Sequence, residues 1–286
     1  MKEILSTYLR LLRVQQWYKN LLIFLPLIFV GQLFNITSLF LTLIGFAALC
    51  LISSANYIIN DLKDLEKDKH HPEKRRRPLA KGRISIIGAG TASFICLLLA
   101  LGTSATLGSR FLYSVLALFA VSQSYTFKLK EEAFADVILI GINFVIRAAS
   151  GAFIIDVIIS PWLVVGVFFL ALFLAVGKRE ADLVYLGRKA RLHKKVLQYY
   201  TPKITNSLMN IATVLLIVSY SFYSFQSQHR NLFFTLPFAL YVILRYYHLV
   251  SIGSDIARHP ERGIKDIRLA LGSLLWLTTT LLFIYF

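Results

Sequence analysis

Residues 60–82 (NDLKDLEKDKHHPEKRRRPLAKG) place acidic side chains first and basic side chains after them. The oxygen-bearing groups at the start are Asn60, Asp61, Asp64 and Asp68. On a helix, offsets of three and seven from Asp61 put the three carboxylates on one face. Neighbouring carboxylates repel one another unless a cation lies between them, and such oxygen ligands together with substrate phosphates suit Mg²⁺. The stretch therefore predicts a metal–diphosphate site in which the three aspartates hold Mg²⁺ and act in catalysis.

The basic half of the stretch supplies groups that bind phosphate oxygens. Guanidinium forks and ammonium point charges are the side chains that proteins use for this purpose. The residues assigned to substrate phosphates are Lys74, Arg75 and Arg77. The alternative is a solvated charged loop without a ligand. The order of acids then bases at the edge of an apolar run favours the binding site.

The elements that position these residues are apolar helices. The chain is 57% hydrophobic and 16% charged, whereas soluble domains carry about 25% charged residues. A membrane-spanning helix needs about 20 apolar residues, and the runs are too long and continuous for barrel strands. We therefore expect an all-α integral membrane protein, a single domain over residues 1–286, with nine spans. The predicted spans are centred on residues 20–34, 39–59, 84–106, 110–127, 134–155, 161–176, 204–225, 231–250 and 268–286.

The distribution of Lys and Arg predicts the orientation. With the N-terminus in the cytoplasm, the outer segments hold only Arg110 and Arg230, and nearly all of the 31 basic residues face inward. We therefore expect a multi-pass protein of the cell (inner) membrane with its active face toward the cytoplasm. The net charge of +16 suits anionic lipid or an anionic substrate. Nucleic acid is not an expected partner, because the basic residues are divided among loops between spans.

Two further groups of polar residues lie near or inside the spans. Tyr125 and Lys128 are three residues apart, so both can point at one ligand; the alternative is an interfacial Tyr and a snorkelling Lys. Arg147 shares a face of the fifth run with Asp136 and Asn143. An arginine inside a membrane usually faces a cavity or a partner. We interpret Arg147 as a ligand contact, with a buried ion pair as the alternative.

The sixth run ends in a basic segment, Gly177 to Leu183 (GKREADL). Lys178 and Arg179 offer adjacent cations for a phosphate, and Gly177 permits close backbone approach. Glu180 and Asp182 are candidates either for metal ligands or for charge partners of the basic residues. The alternative for the whole segment is an anchor at the inner membrane face. The stretch 188–195 that follows is interpreted as an ordinary solvated basic helix.

Taken together, the acidic motif resembles that of the UbiA superfamily of membrane prenyltransferases, whose first signature is N-D-x-x-D-x-x-x-D. Asn60, Asp61, Asp64 and Asp68 match it in full. The resemblance extends over the whole chain, with nine helices and a Tyr-x-x-Lys at Tyr125. Ordinary members carry a second motif, D-x-x-x-D, after the sixth helix. This chain has the basic segment 177–183 at that place.

That departure is similar to one branch, the decaprenyl-phosphate phosphoribosyltransferases, whose first motif continues as H-P-x-K-R-x-R-P-x-A-x-G. The matching residues are Glu66, Asp68, His71, Pro72, Lys74, Arg75, Arg77, Pro78, Ala80 and Gly82. Shorter segments that also resemble the branch contain Tyr125, Phe127, Leu129, Lys130, Phe144, Arg147, Ala148 and Gly151.

The resemblance implies a Mg²⁺-dependent transfer of 5-phosphoribosyl from 5-phosphoribosyl 1-pyrophosphate to polyprenyl phosphate, with release of pyrophosphate. The lipid-linked product would serve cell-envelope assembly. One alternative is an aromatic polyprenyltransferase that uses polyprenyl diphosphate. Another is a transporter or lipid-binding membrane protein without enzymatic activity. The sequence leaves the oligomeric state open, a homo-oligomer included.

Overall fold

A computed structural model of the protein describes residues 2–70, 74–187 and 195–286. Across these ranges the secondary structure is helical and contains no strand. The α-helices in chain order are α1 (Lys2–Leu11), α2 (Phe24–Phe29), α3 (Ile36–Lys63), α4 (Leu65–His70), α5 (Ile86–Thr106), α6 (Ser109–Phe127), α7 (Ala135–Ile154), α8 (Pro161–Leu186), α9 (Pro202–Gln226), α10 (Leu236–Ser251), α11 (Asp255–Arg258) and α12 (Ile267–Tyr285). Short 3₁₀ segments are Val14–Ile23, Lys74–Arg76, Leu129–Glu131, Lys195–Gln198, Arg230–Thr235 and Pro260–Lys265.

Seven helical segments among the described residues are long and apolar enough to cross a membrane. They are α3, α5, α7, α8, α9, α10 with the 3₁₀ segment before it, and α12. The predicted run 20–34 is not one long helix, because it is divided between a 3₁₀ segment and the six-residue α2. The run 110–127 forms α6, which is 19 residues long but carries Ser122, Gln123 and Ser124 near its end. The count of nine spans stays a prediction.

The helix boundaries follow local chemistry. Side chains of Asn35, Ser85 and Thr201 accept hydrogen bonds from backbone N–H groups of the first turns of α3, α5 and α9. These groups satisfy donors that a helix start leaves unpaired. Pro161 and Pro202 lie in the first turns of α8 and α9, where a missing N–H is harmless.

The described chain divides into two compact units. The first contains Met1–Lys128 and Ile146–Val157. Its core is built on α3, which packs against α5 and α6 through buried residues such as Leu49, Ile52 and Phe111. Gly151 lies so close to the chain before α2 that an added Cβ would be 1.9 Å from the Ile23 carbonyl oxygen. The acidic motif begins in the last turn of α3, which ends at Lys63.

The second unit contains Leu129–Val145 and Ile158–Phe286. Its largest helix contact is between α8 and α9. Buried side chains of its core include Phe173, Val176, Met209 and Tyr246. Dispersion and close packing hold such a core together, since lipid tails are as apolar as the side chains themselves. The expectation of a single domain stays a prediction.

Candidate functional site

The acidic motif lies at a break between two helices. α3 ends at Lys63, Asp64 caps it, and α4 begins at Leu65. The three carboxylates are therefore divided between the end of α3, its cap and α4, and their sharing of one face stays a prediction. Asp61 and Asp68 are buried, at 4% and 1% exposure, whereas Asp64 is half-buried. Backbone hydrogen bonds from Asp64 N to Asn60 O and from Asp68 N to Asp64 O continue across the break, and Asp61 and Asp68 meet at one cation.

That cation is Arg77. Its Nη1 donates to Oδ1 of Asp61 at 2.8 Å and to Oδ2 of Asp68 at 2.5 Å. Lys74 Nζ lies 3.8 Å from the other oxygen of Asp68. The basic half of the motif thus folds directly onto its acidic half. Two buried carboxylates need such compensation, because a buried charge without a partner is strongly unfavourable.

A second arginine reaches the same site from the N-terminal segment. Arg13 donates from Nη2 to Oδ1 of Asp61, and its guanidinium lies 5.0 Å from the centre of the Tyr57 ring. Its backbone is left-handed, with φ 50° and ψ 47°, a conformation that non-glycine residues seldom adopt. This turn between α1 and the following 3₁₀ segment places the side chain on Asp61. Nothing in the spacing of the sequence marks Arg13 as a contact of Asp61, which lies 48 residues away.

The site retains an unsatisfied acceptor. Oδ1 of Asp68 is buried, and within the described ranges it has no hydrogen-bond partner besides the ion pair with Lys74 at 3.8 Å. Over the ranges that the structure covers, no three His, Cys, Asp or Glu side chains converge to hold a metal by themselves. Mg²⁺ is usually held by one or two carboxylates together with substrate phosphates and waters. Asp61 and Asp68, with the free lone pairs of Asp68, fit that mode of binding, and the metal role of the three aspartates stays a prediction.

A neutral polar pair joins α3, one helical turn before the motif, to α6. Asn56 is 7% exposed, and its Oδ1 accepts a hydrogen bond from Nε2 of Gln123 on α6 at 2.5 Å. The Nδ2 donor of Asn56 is buried and finds no partner in the described part of the chain. Neither residue was predicted as part of the site. The available signal in the sequence was a polar residue, Asn56, one helical turn before the motif.

Arg147 is buried at 7% exposure on α7. Its Nε donates to Oδ1 of Asn20 at 2.8 Å, and Ser53 donates to the same oxygen at 3.2 Å. Nδ2 of Asn20 in turn contacts Sγ of Cys50 at 3.3 Å. Arg147 therefore belongs to a polar network inside the first unit. Its predicted contact with a ligand is neither shown nor contradicted.

The other residues predicted for this region occupy varied environments. Asn60 is half-buried on α3, and Arg75 is exposed in the 3₁₀ turn that also contains Lys74. Tyr125 is half-buried near the end of α6, and Lys128 is the exposed residue that caps this helix. Their binding roles stay predictions. His71 and Pro72 of the motif, and the stretch 188–194, lie outside the described residues.

The second unit contains a buried ion pair. Nε and Nη2 of Arg179 donate to Oδ2 of Asp136 at 3.2 and 3.0 Å, and both residues are at most 3% exposed. Tyr200 donates to Oδ1 of Asp136 at 2.6 Å. Burial, followed by the hydrogen bond to Asp136, raises the pKa of Tyr200 above its ordinary value, so the phenol keeps its proton. Arg179 therefore has a structural partner that local spacing did not reveal.

The segment 177–183 is not a loop but part of α8, which continues to Leu186. Its residues after Gly177 are good helix formers without proline. A Cβ on Gly177 would lie 3.0 Å from a Val250 methyl group, so this glycine allows α10 to pack closely on α8, and its approach to a ligand stays a prediction. Glu180 accepts a hydrogen bond from Thr205, and Asp182 pairs with Arg258 at 3.0 Å. The two acids thus contact different partners and share no site.

Comparison with known proteins identifies relatives over the full chain. The UbiA prenyltransferase family model matches residues 21–261. The chain is 31% identical over 303 residues to the decaprenyl-phosphate phosphoribosyltransferase of Mycolicibacterium smegmatis, with 100% of this chain and 94% of that protein covered. It is 29% identical over 295 residues to the protein of the same name in Corynebacterium glutamicum, with 99% and 88% covered.

A solved structure shows a similar fold. The UbiA homolog from Archaeoglobus fulgidus bound to GPP and Mg²⁺ superposes with a TM-score of 0.74 at 20% sequence identity. The match covers 97% of this chain and 99% of that chain. The predicted all-α, UbiA-like fold is confirmed, and the protein is a multi-pass membrane protein.

Proposed function

The chain belongs to the UbiA prenyltransferase family, and from that membership we propose that it transfers 5-phosphoribosyl from 5-phosphoribosyl 1-pyrophosphate to polyprenyl (decaprenyl) phosphate. Pyrophosphate is released, and the lipid-linked sugar serves cell-envelope assembly. Relatives of this name align over nearly the whole chain. The observation that carries the proposal is the fold of Arg77 and Lys74 onto Asp61 and Asp68. Cations of the kind that bind phosphate thus lie beside carboxylates of the kind that bind a metal, which supports the proposal.

The reaction demands positioning more than proton transfer. An oxygen of the lipid phosphate forms a bond to C1 of the ribosyl group, and the bond from C1 to the pyrophosphate breaks. The lipid phosphate is already an anion, so no strong general base is required. Positive charge develops on the ribosyl ring and negative charge on the leaving pyrophosphate. Holding two mutually repelling anions in line is therefore the main task of the protein.

The acidic motif would hold the leaving group. Asp61, Asp64 and Asp68 would bind Mg²⁺, which when present neutralises charge on the pyrophosphate. Arg77 and Lys74 already lie at these carboxylates and would turn to the pyrophosphate oxygens. Arg75 would add a cation from the same turn. Asn60 would contact the donor from the last turn of α3.

The remaining predicted residues would contact substrate phosphates elsewhere. Tyr125 and Lys128 would contribute to a phosphate cradle, and Arg147 would line the pocket. Lys178 and Arg179 would hold the 5-phosphate or the lipid phosphate. In this role, Arg179 would either bind the phosphate while it stays paired with Asp136 or leave Asp136 to pair with the phosphate.

The alternative enzyme, an aromatic polyprenyltransferase, is less well supported. Its second acidic motif would have to place two carboxylates on one diphosphate. Here Glu180 and Asp182 contact Thr205 and Arg258 respectively. A transporter is disfavoured because transporters place their sites near the midplane, whereas the motif lies at the end of α3. We place this end at the cytoplasmic face of the cell (inner) membrane.

A labelled-product assay tests the proposal. Purified protein is incubated with donor labelled in the ribosyl group, polyprenyl phosphate and Mg²⁺, and the lipid fraction is analysed. We expect labelled lipid that depends on both substrates. Absence of labelled lipid, together with prenylation of an aromatic acid from polyprenyl diphosphate, would refute the proposal.

A further inference from the structure

Asn56 carries a hydrogen-bond donor that is oriented but unused. Gln123 Nε2 donates to Asn56 Oδ1 at 2.5 Å, which fixes the plane of the Asn56 amide. The other end of that amide, Nδ2, is buried and has no hydrogen-bond partner among the residues that the structure describes. Proteins rarely leave a buried donor unsatisfied, and each exception needs an explanation. A ligand atom that arrives during the reaction would provide one.

The position of Asn56 points to the donor substrate. It lies four residues before Asn60 and five before Asp61 on α3, so it shares a helix face with Asn60. At about 1.5 Å per residue, this is about 6 Å along the helix from Asn60, on the side away from the basic turn. Asn60 is proposed to contact the donor, so a donor group that lies against Asn60 would extend along the same face of α3 to this amide.

The chemistry of the pair suits a neutral oxygen. Phosphate oxygens in proteins are met by Arg and Lys, and here those cations lie at Asp61 and Asp68. Asn56 and Gln123 are uncharged amides. An apolar isoprenyl chain at this point would leave the Asn56 donor unpaired, which is unfavourable. A sugar hydroxyl would satisfy it.

We propose that Nδ2 of Asn56, oriented by Gln123, donates a hydrogen bond to a ribosyl hydroxyl of the donor and selects a sugar over an isoprenyl group. This inference rests on the proposed function, since it assumes a phosphoribosyl donor. A site built to hydrogen-bond a hydroxyl discriminates strongly against an analogue without one, because its own polar group is then left unpaired. Asn56 is thus a specificity-determining residue.

Binding measurements on full-length Asn56→Leu test this role. With Mg²⁺ present, Kd is measured for 5-phosphoribosyl 1-pyrophosphate, for its 2-deoxy and 3-deoxy analogues, and for inorganic pyrophosphate. We expect the variant to bind the donor about tenfold or more weakly and to bind pyrophosphate within about twofold of the unchanged protein. The unchanged protein should discriminate against one deoxy analogue, and the variant should not.

The matched control is Ser93→Ala. Ser93 is also buried in the first unit, but its hydroxyl is already bonded to the Ala55 carbonyl oxygen at 3.2 Å. In this control, the ratio of the Kd for 5-phosphoribosyl 1-pyrophosphate to the Kd for pyrophosphate should equal that of the unchanged protein. If Asn56→Leu fails to fold, Gln123→Leu tests the same role, because the amide of Asn56 loses its orientation and donor binding should weaken in the same direction.

Several results would overturn the assignment. Equal weakening of donor and pyrophosphate binding would indicate a general structural effect. Unchanged donor binding would show that the amide is not used. A rise in KM for polyprenyl phosphate alone would indicate that Nδ2 of Asn56 donates its hydrogen bond to the lipid phosphate and not to the sugar. The proposed function is tested independently of Asn56 by the labelled-product assay. It is refuted if the unchanged protein makes no phosphoribosyl lipid.

Discussion

At the scale of single residues, Arg77 occupies the place where a metal-bound diphosphate is expected. The Arg77→Gln variant leaves Asp61 and Asp68 with Arg13 and Lys74 as their remaining cations. We expect a loss of about 2 kcal/mol of stability in the absence of ligand, measured as a lower thermal midpoint. Mg²⁺ alone should then raise that midpoint more than in the unchanged protein, because it no longer competes with a guanidinium.

The same variant should bind the donor more weakly, since a phosphate-binding cation is gone. A larger response to Mg²⁺ together with weaker donor binding would show that Arg77 acts in the binding site, because a purely structural role would not change the two in opposite directions. The neighbouring Arg76, which is exposed, provides the control Arg76→Gln. Equal Mg²⁺-induced shifts in all three proteins would contradict the competition between Arg77 and the metal.

Asp64 is the residue of the acidic motif that lies at the break between α3 and α4. It caps α3 through backbone bonds and is half-buried. We expect Asp64→Asn to abolish turnover in the labelled-lipid assay with little change in thermal midpoint. Asp156→Asn changes an exposed aspartate that pairs with Arg110 and serves as the control. Full activity of Asp64→Asn would remove this residue from the metal site.

At the scale of helices, glycine positions report which contacts are close. A Cβ at Gly151 would overlap the Ile23 carbonyl oxygen, whereas a Cβ at Gly102 would meet nothing within 4 Å. We expect Gly151→Ala to cost about 3 kcal/mol or more and Gly102→Ala to stabilise by up to about 1 kcal/mol. Yields of monodisperse protein after heating would rank the two variants. An equal tolerance of both would contradict the close packing at Gly151.

The start of α12 should be sensitive to acid. Asp266 caps this helix and accepts hydrogen bonds from both ends of the Arg245 fork, at 3.1 and 2.6 Å. The Arg245 hydrogen bond is the main cause that lowers the pKa of Asp266. A lowered folded-state pKa gives stability that is present above the unfolded value and lost as pH falls through the folded value.

Thermal midpoints of the unchanged protein and Asp266→Asn should therefore differ at neutral pH. The difference should shrink as pH falls below about 4, near the unfolded pKa of an aspartate. Arg245→Gln should show the same dependence on pH, because it removes the other half of the pair. A difference that stays constant down to pH 3 would contradict this contribution.

At the scale of the whole molecule, the distribution of basic residues can be tested by labelling. Cys50 and Cys96 are 3% and 7% exposed, so background reaction with an impermeant maleimide should be low. We expect Arg110→Cys to be labelled from outside intact cells. Arg76→Cys should be labelled only in inverted membrane vesicles. The reverse pattern would refute an inward-facing acidic motif.

Sequence patterns predicted the long apolar helices and the motif, because both depend on local composition and spacing. The contact of Arg77 with Asp61 bridges only 16 residues, but the sequence predicted a phosphate contact for Arg77 and not this ion pair. Arg13 and Asp61 are 48 residues apart, and Asn56 and Gln123 are 67 apart. Such pairs depend on how helices pack, which local spacing does not encode. The break at Asp64 was missed because no proline or glycine marks it.

The left-handed turn at Arg13 has a practical consequence for where this protein can be shortened. The family match begins at residue 21, so trimming to that boundary would look harmless. It would delete a guanidinium that contacts Asp61 and stacks on Tyr57. It would also remove Trp17, whose indole donates to Ser54 at 3.1 Å. A boundary drawn at the start of the family match would thus remove side chains that contact Asp61 and Ser54. The first twenty residues should be kept in any protein prepared for assay.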